Sequence, residues 1–312
     1  MNDLWDLWII VETYVSLLKA WYKDPYYYHK IGFLTTELGA AVLVELLSES
    51  TKTSKTKFKD YIEKKIQEVV HDKKKPGRRI LDYNYKEDGS MLKRVLFLYN
   101  VESTYQQRLE FFPFDKYKAC DWTLEHIHAQ NSERIDHSMK EKWLEWFEEN
   151  QKVLERLHVR MQDDKNLSEL LTNFNKEFER LKSNKDKYTF KDVTLVFDLV
   201  LKYFDDLSGK EGKPTVIHGI SNMALLSGST NSSIGNSVFE VKRQMIMNAD
   251  ARGEYIPLCT RKVFLKYYNK DDKDFTVQQH FYWSEKDRKY YLDNIKSVLK
   301  QYIDAEETKK ED

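Results

Sequence analysis

The stretch Asp121–Asp136, DWTLEHIHAQNSERID, places Glu125, His126 and His128 within four consecutive residues. Two of the chain's eight histidines are therefore in one short segment. A carboxylate beside an imidazole is raw material for proton and metal chemistry. The same residues also make an ordinary polar patch on a helical protein, so the flanking sequence has to decide. Read as extended chain, LEHIHAQN ends a strand, and the partner of that strand must be sought further along.

At 312 residues the chain is long enough for one large domain or two medium ones with a sizeable core. Hydrophobic residues make up 41%, which excludes a disordered chain. Gly and Pro number only 10 and 5 while charged residues reach 33%, a balance that favours helices with solvated faces. The formal net charge is zero, so any nucleic-acid surface has to be local. Cys120 and Cys259 lie far apart and outside any CxxC pattern. That argues against a zinc knuckle or a disulfide scaffold and fits a reducing cytosol. No signal peptide is visible. The apolar run Leu4–Leu18 is interrupted by Asp6, Glu12 and Ser16, so no membrane span is expected there.

Helical spacing runs through much of the chain. Leu4, Trp8, Val11, Val15 and Leu18 fall on one stripe. Further helices are expected over Phe33–Leu47 and Lys57–Val70, and MLKRVLFLYNVES reads as a buried helix. HDKKKPGRR breaks the pattern as a charged loop, and RLEFFPFD reads as a short extended entry into the next unit. Three amphipathic helices follow the opening stretch as an insertion over about 138–207. TVIHGISNMALLSGST then turns β-like. NSSIGNSVFEVKRQMIMNA returns to a helix, with Asn231 or Ser232 as its N-cap, and a last helix is expected near Lys286–Tyr302.

The order is strand, insertion, hairpin strand, helix. With Glu125–His126, Asn222 and Asn231 in that order, it resembles the HNH (ββα-metal, His-Me finger) nuclease motif. EHIHAQN together with ISNMALLSGSTNSSIGNSVFEVKR is similar, more narrowly, to the nuclease module of GmrSD-type modification-dependent restriction enzymes. IPLCTRKVF, WSEKDRKYY and WYKDPYYYHKIGFL extend the resemblance over most of the chain, though only the two nuclease blocks are specific. The chain departs from the family at Ala129, where the family has Pro, and at His128, where it has an apolar residue. The family's nucleotide-dependent N-terminal domain is not recognisable, so a separate subunit, a fragment or a stand-alone relative is expected.

The resemblance implies an α+β protein that is predominantly α-helical. A helical region over 1–110 precedes a nuclease region over 111–312, whose small ββα-metal centre is interrupted by the insertion. It implies a metal-dependent DNA endonuclease in restriction or antiviral defence, acting on foreign or modified DNA. Histidine's ordinary pKa of about 6.5 suits His126 to activate water as a general base. Hard oxygen donors suit Mg²⁺ or Mn²⁺, and the resemblance assigns these to Glu125 and Asn231. Asn222 would bridge the two β segments, and a helix start at Asn231 would favour bound phosphate.

Other readings stay open. Asn222 can simply satisfy a turn. His128 can contact substrate, stand in solvent, or pair with His126 as a His-x-His zinc site if both lie in a strand. Lys242 and Arg243 can contact the DNA backbone or lie on a solvated face. KKKPGRR reads as a solvated loop before a phosphate grip. Trp5, Trp8, Trp143 and Trp146 are expected in the core, and Tyr26–His29 against Trp21. The rival function is a non-catalytic DNA-binding or assembly subunit of a defence complex.

Overall fold

The computed structural model describes residues 3–108, 110–128, 140–208, 217–228, 238–268 and 281–303. The protein is a predominantly helical α+β chain with one small antiparallel sheet among the described residues. It divides into two compact units, 1–121 with 295–312, and 122–294.

The first unit is built from α1 (Asp3–Lys23), α2 (Pro25–Leu38), α3 (Val42–Lys52), α4 (Lys55–Val70), α5 (Tyr85–Gln107) and α6 (Phe114–Lys118). Asp24 starts α2 by accepting from the Tyr26 and Tyr27 amides at 2.8 and 3.3 Å, and Pro25 takes the first helical position, where its missing N–H costs nothing. The helix expected over Phe33–Leu47 is in fact two, α2 and α3. Gly39 divides them with φ +80°, a conformation that ends a helix and suits glycine. Gly32 is required for a different reason: a Cβ there would stand 2.2 Å from the Phe114 ring. Residues Val95–Thr104 of α5 are all buried, making it the unit's central rod. The basic run is not a free loop. Lys75 and Arg78 both pair with the buried Asp88 carboxylate, at 2.6 and 2.8 Å, and Arg79 pairs with Asp82 at 2.7 Å. His29 is equally occupied: its Nδ1 donates to the Pro25 carbonyl at 2.6 Å, and its Nε2 accepts from the Phe112 amide at 3.1 Å.

The second unit holds β1 (Trp122–His126), the insertion helices α7 (Lys140–Arg160), α8 (Lys165–Ser183) and α9 (Phe190–Ser208), then β2 (Met223–Ser227), α10 (Phe239–Ala251) and α11 (Leu258–Phe264). The unit boundary falls inside the last helix, α12 (Glu285–Val298). Trp143, Trp146, Phe147, Phe174, Phe178 and Phe197 fill the space between the insertion helices, and Val238 and Val241 extend that core to α10. β1 and β2 pair antiparallel in the register Trp122↔Ser227 to His126↔Met223. The outward carbonyls of β2 do not form an open edge. Met223 accepts from the Tyr291 hydroxyl at 3.1 Å and Leu225 from the Thr260 hydroxyl at 2.7 Å. Burial raises the Tyr291 phenol well above its ordinary pKa, which keeps it a donor.

Two tryptophans depart from expectation. Trp143 and Trp146 are core residues, but Trp5 and Trp8 are 67% and 59% exposed on α1. Periodicity marks an apolar face; it does not say that the same chain covers it.

The Lys30 ammonium in α2 is fully buried. It meets Glu102 and the Tyr302 hydroxyl at 2.5 Å each, with the Tyr26, Tyr105 and Tyr302 rings around it. Glu102→Leu leaves that ammonium without its counter-charge and is expected to lower unfolding free energy by about 3–5 kcal/mol. Lys30→Met combined with Glu102→Leu is expected to regain most of the loss. Urea denaturation of both variants checks this, and equal destabilisation of single and double variants would show that the ion pair is not the cause.

A candidate active site at the end of the hairpin

β1 delivers Glu125 and His126 at its last two positions, beside Ala224 and Met223 of β2. The chain leaves the strand there, and Asn222 holds the exit. Its backbone carbonyl accepts from the Ile127 amide at 2.9 Å. Its side-chain oxygen accepts from the His128 amide at 2.9 Å, and its Nδ2 donates to the Ile217 and His128 carbonyls at 2.9 and 3.3 Å. A buried asparagine thus ties the segment after β1 to the segment before β2, across 94 residues of sequence. The 3₁₀ turn Ile220–Asn222 sets it at that point.

Lys242 occupies a place the sequence did not indicate. It lies in the first turns of α10, 1% exposed, and its ammonium donates to the Glu125 carboxylate and, at 2.6 Å, to the His126 carbonyl. Of the two expectations for Lys242, a DNA contact or a solvated face, the solvated face is corrected: its ammonium is buried against Glu125. α10 begins at Phe239 with Val238 at its N-cap, whereas the expected helix start was at Asn231 or Ser232. Asn231 itself lies outside the described residues, as does Ala129. Arg243, the next residue, pairs with the buried Glu240 at 3.0 Å and keeps part of its surface in solvent.

His126 is 3% exposed, and its ring stands edge-on to the His218 ring with centroids 5.6 Å apart. His218 was not singled out in the sequence. The signal available was its place in VIHGISN, four residues before Asn222, which the turn carries to the same end of the hairpin. His128 lies beyond the strand, so the condition for a His-x-His pair on one strand face is not met. Its Nε2 instead meets the Asp205 carboxylate of α9 at 2.6 Å.

As a metal site the described part offers one hard oxygen donor, Glu125, already paired with one cation. Among the described residues no group of three or more His, Cys, Asp or Glu side chains stands where it could hold a metal ion. The donor chemistry fits a hard divalent ion, and the charge at Glu125 is the kind that draws one. Such an ion and the Lys242 ammonium would compete for the same carboxylate. Lys266 forms a separate buried pair with Asp287 at 2.7 Å, with burial lowering its pKa against the opposing pull of that carboxylate.

Comparison with protein-family models, with curated proteins and with solved structures gave no match.

Asn222→Ala removes the partner of three backbone groups at the hairpin end. A loss of about 2–4 kcal/mol is expected, because each buried unpaired group costs about 1–3 kcal/mol and water recovers part. Asn222→Asp keeps the acceptor but sets a carboxylate against two carbonyl oxygens, and is expected to cost at least as much. Amide hydrogen exchange at Ile127 and His128 should quicken in both variants. Unchanged exchange there would mean that the clamp does not hold the hairpin.

Proposed function

We propose that residues 122–294 form an HNH-type endonuclease centre that hydrolyses DNA phosphodiesters with the help of Mg²⁺ or Mn²⁺, in defence against foreign DNA. The observation that carries this reading is the hairpin end. An acid–histidine pair closes one strand, Asn222 clamps it to the other, and the following helix is laid against it through Lys242. That is the ββα order, assembled across a long insertion. Neither cysteine forms a disulfide, which supports a reducing compartment. Among the described residues no helix is long and apolar enough to cross a membrane.

In this reading the His126 imidazole accepts a proton from water as the water oxygen attacks phosphorus. The bond from phosphorus to the leaving sugar oxygen breaks, and that oxygen takes up a proton. Glu125, with Asn231 as the family resemblance implies, would hold a divalent ion supplying relief of negative charge on the phosphate. Asn222 keeps His126 and His128 in register, and His218 flanks the His126 ring. Lys242 sets the carboxylate and the His126 carbonyl in place until substrate and metal arrive. Arg243, partly exposed beside Glu240, is the nearer candidate for phosphate.

A second reading is favoured by one observation. Glu125 and Lys242 are a buried pair, and such pairs also serve a purely structural role in an assembly subunit. Supercoiled plasmid, unmodified and carrying modified cytosine, separates the two. Cleavage with Mg²⁺ or Mn²⁺ is expected from the wild type, falling about 10²–10⁴-fold in His126→Ala. Intact plasmid under all these conditions, from a folded protein, sinks the nuclease reading and leaves the structural one.

Lys242→Met tests the competition at Glu125 without relying on activity. Removing the ammonium leaves the buried carboxylate alone and is expected to cost about 3–5 kcal/mol. Added Mn²⁺ should then raise the melting temperature of Lys242→Met by more than that of the wild type. The gain should vanish when Glu125→Gln is added. Equal Mn²⁺ responses in all three proteins would mean that no ion uses Glu125.

A further inference from the structure

Among the described residues nothing covers the apolar stripe of α1 in the first unit. Residues 4–13 are all exposed, and beyond them only Tyr14, Leu17 and Trp21 turn inward. Trp21 alone is buried, stacked on Phe58 at 5.4 Å and packed on Tyr27 at 6.2 Å. Next to that inward side Leu4, Trp8, Val11, Val15, Leu18 and Tyr22 form an exposed stripe, from 37% exposed at Leu18 to 83% at Leu4. Their spacing alternates four and three residues without a break, the repeat of a coiled-coil seam, and the exposed Trp5, Leu7, Ile9 and Ile10 widen the apolar surface over the first half of the helix.

We propose that α1 is a dimerisation helix that pairs antiparallel with α1 of a second copy of this chain.

Three features select that occupant. The stripe is its own complement when reversed: Leu4 falls opposite Tyr22, Trp8 opposite Leu18 and Val11 opposite Val15. Each match joins the two kinds of seam position, as an antiparallel coiled coil requires. The charges agree with that direction. Asp6 and Glu12 lie in the first half of α1, and Lys19 and Lys23 in the second. Antiparallel pairing sets acidic beside basic halves, whereas parallel pairing would set like beside like. The acidic half also speaks against docking on an anionic lipid surface.

The third feature is space and area. Beside Leu18 and Tyr22 lies a groove of about 290 Å³ that also takes in Tyr28, Ile31, Leu43 and Phe114. In the antiparallel register the partner's Trp8 and Leu4 arrive at this groove, so each copy offers a bulky end and a receiving end. The exposed apolar side chains of α1, the stripe together with Trp5, Leu7, Ile9 and Ile10, present on the order of 1,000 Å², against the roughly 800 Å² per partner that a stable interface buries. The contact is isologous and closes at two copies.

Sedimentation equilibrium of the full chain at micromolar concentration is expected to give twice 37.4 kDa. Val11→Glu combined with Val15→Glu changes only exposed side chains. It sets four carboxylates into the seam, and is expected to weaken association at least about 100-fold while circular dichroism stays unchanged. For direction, Leu4→Cys and Tyr22→Cys chains, each also carrying Cys120→Ser, are mixed and oxidised. The proposal expects the mixed Leu4→Cys–Tyr22→Cys disulfide to dominate. A monomer at these concentrations, a dimer indifferent to the Val11→Glu/Val15→Glu pair, or a preference for like-with-like disulfides each overturns it. So does a monomer that sediments with phosphatidylserine or phosphatidylcholine vesicles.

Discussion

A two-stranded hairpin is marginal in water without something laid against it, and here its strands are also separated by the whole insertion. The buried Lys242 ammonium meets that constraint. From α10 it reaches both the Glu125 carboxylate and the His126 carbonyl, so one cation joins helix, strand and the turn that follows the strand. Asn222 does the complementary work with neutral hydrogen bonds on the other side of the exit. The Thr260 and Tyr291 hydroxyls close the outer edge of β2. A sheet too small to carry itself is held by side chains from each of the three described helices that follow it.

Buried lysines recur as fastenings in both units. Lys30 joins α2 to α5 and to Tyr302 in the first; in the second, Lys242 joins α10 to β1, and Lys266 joins the end of α11 to Asp287. An unpaired charge in these places would be far more damaging than an unpaired amide, because the desolvation of an ion is so much larger. Each pair therefore specifies which carboxylate must arrive, and so which elements must meet. That is a route to a defined arrangement for a chain rich in interchangeable amphipathic helices.

The same economy shapes the candidate site. A carboxylate that holds helix α10 in place is also the one that would bind an ion, so structure and chemistry share a charge. Under the proposed reading, metal entry at Glu125 and release of Lys242 would be linked events, and the hairpin end would be the element that responds. His128, turned to Asp205 of α9, ties the same end to the insertion. The insertion is thus a support for the site as well as a helical module with its own aromatic core.

Local pattern in the sequence was enough for the helical class, the α4 and insertion helices, and the strand pair flanking a long insertion, because periodicity and turn residues act over a few positions. Asn222 at the mouth of β2 was legible for the same reason: it begins the run that becomes the strand. What the sequence left undecided were the partners. Nothing near Lys242 distinguishes an ammonium that meets Glu125, 117 residues earlier, from one that meets solvent. Nothing near Trp8 says that its stripe has no cover within the described chain, since a helix carries the same apolar repeat whether it faces a core or a second molecule. Those outcomes depend on which distant segments occupy the surrounding volume, and only the tertiary structure assigns that volume.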